Sequence, residues 1–263
     1  MPGPRPRRRL ATLLAAVILA IGLVFLLVHT RVAEPAEPGE KPKLALFTSL
    51  PLFWAEAPDL ATMLRDDRPP HWARGALERR YVVAPLDTLE PGPGGLDGTE
   101  RLALIQPRPL SPSENVALDR WVREGGSLLL FADPALTEDS SFAMGDKRRP
   151  QDIAMLSPIL SRWGLKLMFD DEQPLGLHDV GVGAARLPVN LPGHFVLSPG
   201  GAEGRCALAE GGLVASCSIG RGRVLAVADA ALFETAPDEA DRATRSRALF
   251  PLLDRAFGAD PAS

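Results

Sequence analysis

Between residues 102 and 134 the apolar and polar positions read as strand, loop, helix, turn and strand. Residues 102–105 are a short apolar run that Pro107 and Pro109 close. Ser111-Pro112-Ser113-Glu114 has the residue types of a capped helix start. Ser111 accepts from the free N–H groups, Pro112 suits the first helical position, and Glu114 reaches back. Ala117, Leu118, Trp121 and Val122 then recur at helical spacing, and Gly125-Gly126 supplies a left-handed stop. Residues 127–131 form a second apolar strand that delivers Asp133-Pro134 at its carboxyl end. Such a βαβ unit predicts two parallel strands joined by a right-handed crossover.

The same reading extends along the chain. Residues 44–48 and 81–84 predict strands, and residues 58–65 and 70–80 predict helices, the latter with Trp72, Ala76 and Leu77 inward. Residues 49–54 are apolar but cannot continue a strand past Pro51. Two readings stay open there: a loop folded over the core, or an exposed loop whose Leu52, Phe53 and Trp54 meet a partner or the membrane surface. Residues 86–100 are turn-rich and 137–150 polar. Residues 151–163 predict a helix with Ile153, Leu156, Leu160 and Trp163 inward, and residues 165–169 a half-buried strand. Asp170-Asp171-Glu172 reads as a solvated turn, because it lacks the glycine and spacing of a calcium loop.

From Gly176 onward short strands are expected, at 194–197, 205–209 and 213–218. The last two flank Gly211-Gly212 as a hairpin turn, a register that sets Cys206 opposite Cys217. A strand at 224–228 ends at Asp229. A closing helix at 238–257 follows, with Leu249, Leu252, Leu253 and Phe257 inward. The pattern predicts an α/β, three-layer domain with a mainly parallel sheet and an antiparallel hairpin late in the chain. Ligands of such folds sit at the carboxyl ends of the strands. The candidate ligand residues there are Thr48, Ser49, Gln106, Arg108, Asp133 and Asp229, beside Asp87.

Composition adds little to this picture: 263 residues, 46% hydrophobic and 24% charged, is ordinary for a globular protein. Charge placement adds more. Arg5, Arg7, Arg8 and Arg9 precede an uncharged apolar run at 10–28, while the rest of the chain is acidic with no long basic block. Nucleic acid is therefore not an expected partner. As a helix the run would be about 28 Å long, enough to cross a bilayer, and longer than the core of a cleaved signal peptide. The expected organisation is a cytoplasmic N-terminus at 1–9, a transmembrane helix at 10–30 and a Pro/Glu linker at 31–42. The extracytoplasmic α/β domain follows at 43–258, with a tail at 259–263. The arginines orient the anchor with the N-terminus inside, which puts the domain on the periplasmic side of a bacterial inner membrane. In that oxidising compartment the two cysteines are a disulfide or a pair of buried thiols, and both stay open.

The stretch LALIQPRPLSPSENVALDRWVREGGSLLLFADP (102–134) and the later GRGRVLAVADAALF (220–233) resemble a known group. It is the extracytoplasmic domain of gliding-motility-type ABC-transporter auxiliary proteins, with the related glutamine-amidotransferase-like domains. The resemblance implies a class I glutamine-amidotransferase-like, flavodoxin-like fold and a membrane partner such as an ABC permease. It also places the amidotransferase elbow after Phe131, where this chain has Ala132-Asp133-Pro134 and no cysteine. Neither His178-Asp179 nor His194-Phe195 supplies the His-x-Glu pair of such enzymes. The serine elbow, the phosphate loop and the dinucleotide fingerprint are missing from the sequence as well. His178, Asp179 and His194, or Asp133 with Asp229, match no compact metal motif, so neither metal nor cofactor is expected. Two functions follow as expectations. One is a membrane-anchored, non-catalytic accessory that binds a partner or ligand beside an ABC-type transport system. The other is a hydrolase-like enzyme with a non-standard site around Asp133, Asp229 and Arg108.

Overall fold

Apolar runs of four to six residues, too short for helices, assemble into a seven-stranded sheet in the computed structural model. The structure describes residues 41–54, 56, 70–199 and 204–258. The expected membrane segment at 10–30, the expected helix at 58–65 and the tail lie outside the described residues. Among the described residues no helix is long and apolar enough to cross a membrane.

The elements in order are β1 (Lys43–Thr48), α1 (Trp72–Glu78), β2 (Val82–Pro85), β3 (Arg101–Ile105), α2 (Pro112–Arg123) and β4 (Ser127–Phe131). Next come α3 (Ser157–Arg162), β5 (Leu165–Met168), β6 (His178–Val182), β7 (Ala185–Val189) and β8 (His194–Leu197). The chain closes with β9 (Gly204–Ala209), β10 (Val214–Ile219), β11 (Gly222–Val227) and α4 (Glu239–Phe257). The sheet order is β2-β1-β3-β4-β11-β10-β9. Its first five strands run parallel, and β10 and β9 add antiparallel at one edge. β3, β4 and β11 are buried at nearly every position, as parallel strands covered on both faces must be. The crossovers β1–α1–β2 and β3–α2–β4 move in opposite directions along the sheet. Right-handed connections therefore place α1 and α2 on opposite faces. α4 packs with α1, and α3 with α2.

The capping box forms as its sequence requires. Ser111 Oγ accepts from the Glu114 N–H at 3.1 Å, and Glu114 accepts from the Ser111 N–H at 2.9 Å. At the other end of α2 a Cβ on Gly126 would stand 2.5 Å from the Trp121 ring, so only glycine fits. Trp163 is fully buried. Its indole N–H donates to Asp119 at 3.0 Å, and Asp119 also receives Arg123 and Arg162, which ties α3 to α2.

The structure corrects several expectations. The helix expected at 151–163 shrinks to α3, because the backbone before it is spent elsewhere. Ala154 N donates to Asp133 O at 2.8 Å, and Leu136 N donates to Asp152 O at 3.0 Å. Ile153, expected inward, is 56% exposed, whereas Leu156, Leu160 and Trp163 are buried as expected. The half-buried strand β5 does not join the main sheet; it pairs antiparallel with β8. β6 and β7 form a further hairpin whose alternation Gly181 and Pro188 obscure in the sequence. The turn between β9 and β10 is not a two-residue hairpin but a 3-10 turn over Glu210–Gly212, with three successive positive φ values. The expected register still holds: Cys206 pairs with Cys217, and the two form a disulfide rather than buried thiols.

Candidate functional site

The six candidate ligand residues divide into two groups at the carboxyl end of the sheet. β4 and β11 are neighbours and deliver Asp133 and Asp229 into the interior, where both are essentially unexposed. Each oxygen of the two carboxylates accepts a backbone N–H. Asp133 takes those of Ala135 at 2.8 Å and Ala230 at 2.9 Å. Asp229 takes those of Ala231 at 2.7 Å and Asn190 at 3.0 Å. Burial raises the Asp133 carboxyl to about 7, although the two N–H groups pull the other way. Burial also raises Asp229 well above the usual carboxylate range, and the charge of Asp133 adds to that. Glu234, raised chiefly by burial, accepts from the N–H and the hydroxyl of Thr137, and Thr137 Oγ1 accepts from Asn190 Nδ2.

Gln106 joins these buried acids into a latch across the strand ends. It is fully buried with φ 40°, a left-handed conformation rare for a residue with a side chain. Its amide holds the Asp133 peptide on both sides, accepting from N at 2.8 Å and donating to O at 3.1 Å. The same Nε2 donates to Gln151 O at 2.7 Å. Ser49 Oγ donates to Gln106 O and accepts from Gln151 N at 2.8 Å, while Thr48 Oγ1 accepts from Leu50 N at 3.0 Å. These polar side chains satisfy the backbone where four parallel strands end.

The second group lies where the strand order reverses, between β1 and β3. A cavity of about 480 Å³ opens there between the ends of β1 and β2 and the loop after β3. Thr48, Ser49, Asp87 and Arg108 line it, together with Phe47, Phe53, Trp54, Phe142, Lys147, Arg148 and Arg149. Asp133 and Asp229 do not. The Arg108 guanidinium lies 4.9 Å over the Phe47 ring and forks onto Glu114 at 2.7 and 2.8 Å. Burial opposes ionisation of Glu114. Arg108 and the N–H groups of Ser111 and Leu89 outweigh it and hold the carboxyl at about 2. The sequence reading treated 137–150 as plain polar loop and so missed the Phe142 and Lys147-Arg148-Arg149 wall. The consecutive basic residues were the available signal.

The apolar loop at 49–54 is a mixture of its two readings. Leu50 and Leu52 are buried, so Leu52 is a core residue and not a contact surface. Phe53 is half-buried beneath the Arg74 guanidinium, at 4.9 Å, and Trp54 is 49% exposed on the cavity rim. His178 and Asp179 lie on β6 and His194 on β8, in separate two-stranded sheets. Among the described residues no three His, Cys, Asp or Glu side chains stand where they could hold a metal ion.

A family model described as an ABC-type uncharacterized transport system matches residues 41–172, half of the chain. The chain belongs to this ABC-transport auxiliary family. The match runs from β1 through β5, so every cavity-lining residue of the auxiliary domain falls inside it, while Asn190, Asp229 and Glu234 fall outside. No curated protein matches the sequence. Among solved structures the auxiliary domain is similar to an exo-β-1,4-mannosidase from Opitutaceae bacterium strain TAV5. The identity is 14% and the TM-score 0.49, over 81% of this chain and 36% of that one. It is also similar to a β-galactosidase from Bacillus circulans sp. alkalophilus (11%, TM-score 0.44, 84% and 32%). A third likeness is to a cytoplasmic protein from Salmonella typhimurium LT2 (12%, TM-score 0.38, 81% and 99%). The chain spans about a third of the length of the glycosidases it matches.

Proposed function

We propose that this protein is a non-catalytic accessory of an ABC-type transport system, anchored by the apolar segment at 10–30. Its α/β domain, of glutamine-amidotransferase-like build, then stands on the extracytoplasmic side and binds a ligand or the permease. The observation that carries this reading is the division at the sheet end. The acids that could do chemistry are sealed, with each oxygen spent on a backbone N–H. The open cavity at the switch point is built from residues of the family-matched segment. Family membership supports the transport association, and the Cys206–Cys217 disulfide suits an oxidising compartment. The hydrolase-like alternative has less support, since Arg108 is committed to Glu114 and bonds to neither aspartate.

Crosslinking in native membranes, followed by mass spectrometry of the co-purified proteins, tests the reading. Reproducible recovery of ABC permease peptides is the expected result. A clean monomer with no reproducible partner overturns it.

A further inference from the structure

We propose that the cavity between the ends of β1 and β2 and the loop after β3 binds a small organic anion with a bulky apolar or aromatic body. This deepens the accessory reading and rests on it. Three properties of the cavity point to that class of ligand. Its volume, about 480 Å³, lies within the range of sites that enclose a small molecule. Its wall is largely apolar and aromatic, with Phe47 and Phe142 inside and Trp54 at the rim. An inorganic anion would leave that wall wet. The third property is its supply of donors: Arg108, Lys147, Arg148 and Arg149 line the cavity, and Asp87 is the one carboxylate among its lining residues.

The three arginines are held from behind by carboxylates that do not line the cavity: Glu114, Asp146 and Asp152. Each guanidinium keeps one nitrogen without a hydrogen bond among the described residues: Nε of Arg108, Nη1 of Arg148 and Nη2 of Arg149. Two are also stacked on aromatic rings, Arg108 on Phe47 and Arg148 on Phe142 at 4.2 Å. These contacts restrain the guanidiniums before any ligand arrives, Arg149 (21% exposed) more than Arg108 and Arg148 (45% and 58%), and ordering beforehand removes a cost of binding. Lys147 makes no hydrogen bond or ion pair among the described residues, and its ammonium is the adjustable member of the set. Preordered donors beside an aromatic wall match an acceptor-rich head on an apolar body.

The test uses the full chain and two probes of one shape, naphthalene-1-sulfonate and the uncharged 1-naphthalenemethanol, titrated by calorimetry. The sulfonate is expected to bind one to one and about tenfold more tightly than the alcohol, a ratio that a charge-assisted hydrogen bond can supply. Lys147→Gln is expected to weaken the sulfonate about fivefold, as for a part-exposed ion pair, and to leave the alcohol unchanged. Trp54→Ala is expected to weaken both. No saturable binding, equal affinity for the two probes, or a sulfonate affinity that Lys147→Gln leaves unmoved would each overturn the proposal. Crosslinking of the unsubstituted chain separates the two readings. Permease crosslinks without sulfonate selectivity refute the anion site and leave the accessory role standing. Selectivity without crosslinks does the reverse.

Discussion

Replacing Asp133 by Asn should have an effect that changes with pH in a calculable way. Asp133 ionises in the fold only near pH 7, against 3.8 for an ordinary aspartate. Between those values the folded chain holds a proton that the unfolded chain has lost, so stability falls as pH rises through the window. From pH 5 to pH 8 this one group removes about 2.5 kcal/mol. Asn has no charge to gain, but its donor-only NH2 group must face one of the N–H groups of Ala135 and Ala230, where the hydroxyl oxygen of the protonated acid still accepts, so the substitution carries a fixed, pH-independent cost. The variant should therefore be less stable than the parent at pH 5, and the difference should shift in its favour by about 2.5 kcal/mol between pH 5 and pH 8.

The parent's own pH profile would not isolate this effect. Burial lowers His71 to about 4, and a depressed histidine makes stability rise with pH between about 4 and 6.5, the opposite sign. That contribution is common to both proteins and cancels in their difference. Asp229 acts in the same direction as the main effect, because removing the Asp133 charge lets its raised pKa relax downward. Urea unfolding of both proteins at the two pH values measures the difference. A variant equally destabilised at pH 5 and pH 8 would mean that the two N–H groups keep Asp133 ionised, and the account of the latch would fail.

Ser111→Ala removes the acceptor for the Glu114 N–H and should cost about 1 kcal/mol in urea unfolding, with little change in fold by circular dichroism. Gly126→Ala drives a methyl to within 2.5 Å of the Trp121 ring and should lower the melting temperature by several times the shift seen for Ser111→Ala. Reducing the Cys206–Cys217 disulfide, which closes a short loop already held by strand pairing, should cost about 2–3 kcal/mol. Equal melting with and without reductant would refute that entropic estimate. Glu114→Gln should abolish the stability that this depressed carboxylate lends above about pH 4.5 and loses as pH falls toward 2. Acid titration of both proteins measures it.

The βαβ centre was legible because every local signal agreed. The proline-closed run at 102–105, the Ser111 box and the glycine stop each has a direct geometric cause, and the structure reproduces them all. The cysteine register was legible as well, because it depends only on counting back from the turn. The helix expected at 151–163 failed for a non-local reason: Ala154 bonds to the end of β4, a partner no window of periodicity contains. The candidate site was half legible. Strand ends nominate polar residues, but the sequence does not say which are consumed by the backbone. Gln106, Asp133 and Asp229 turned inward, and only Thr48, Ser49, Asp87 and Arg108 reach the cavity.

The disulfide also bears on how such a sheet behaves among its own kind. β9 is the outermost strand on its side, and an outermost strand presents an unpaired row of amides that a second chain can borrow. Riveting Cys206 of that strand to Cys217 of its neighbour stops β9 from peeling away, so it cannot be traded for the equivalent strand of another copy. The covalent link thus guards against strand-exchanged dimers in a crowded setting, a service independent of any stability it adds.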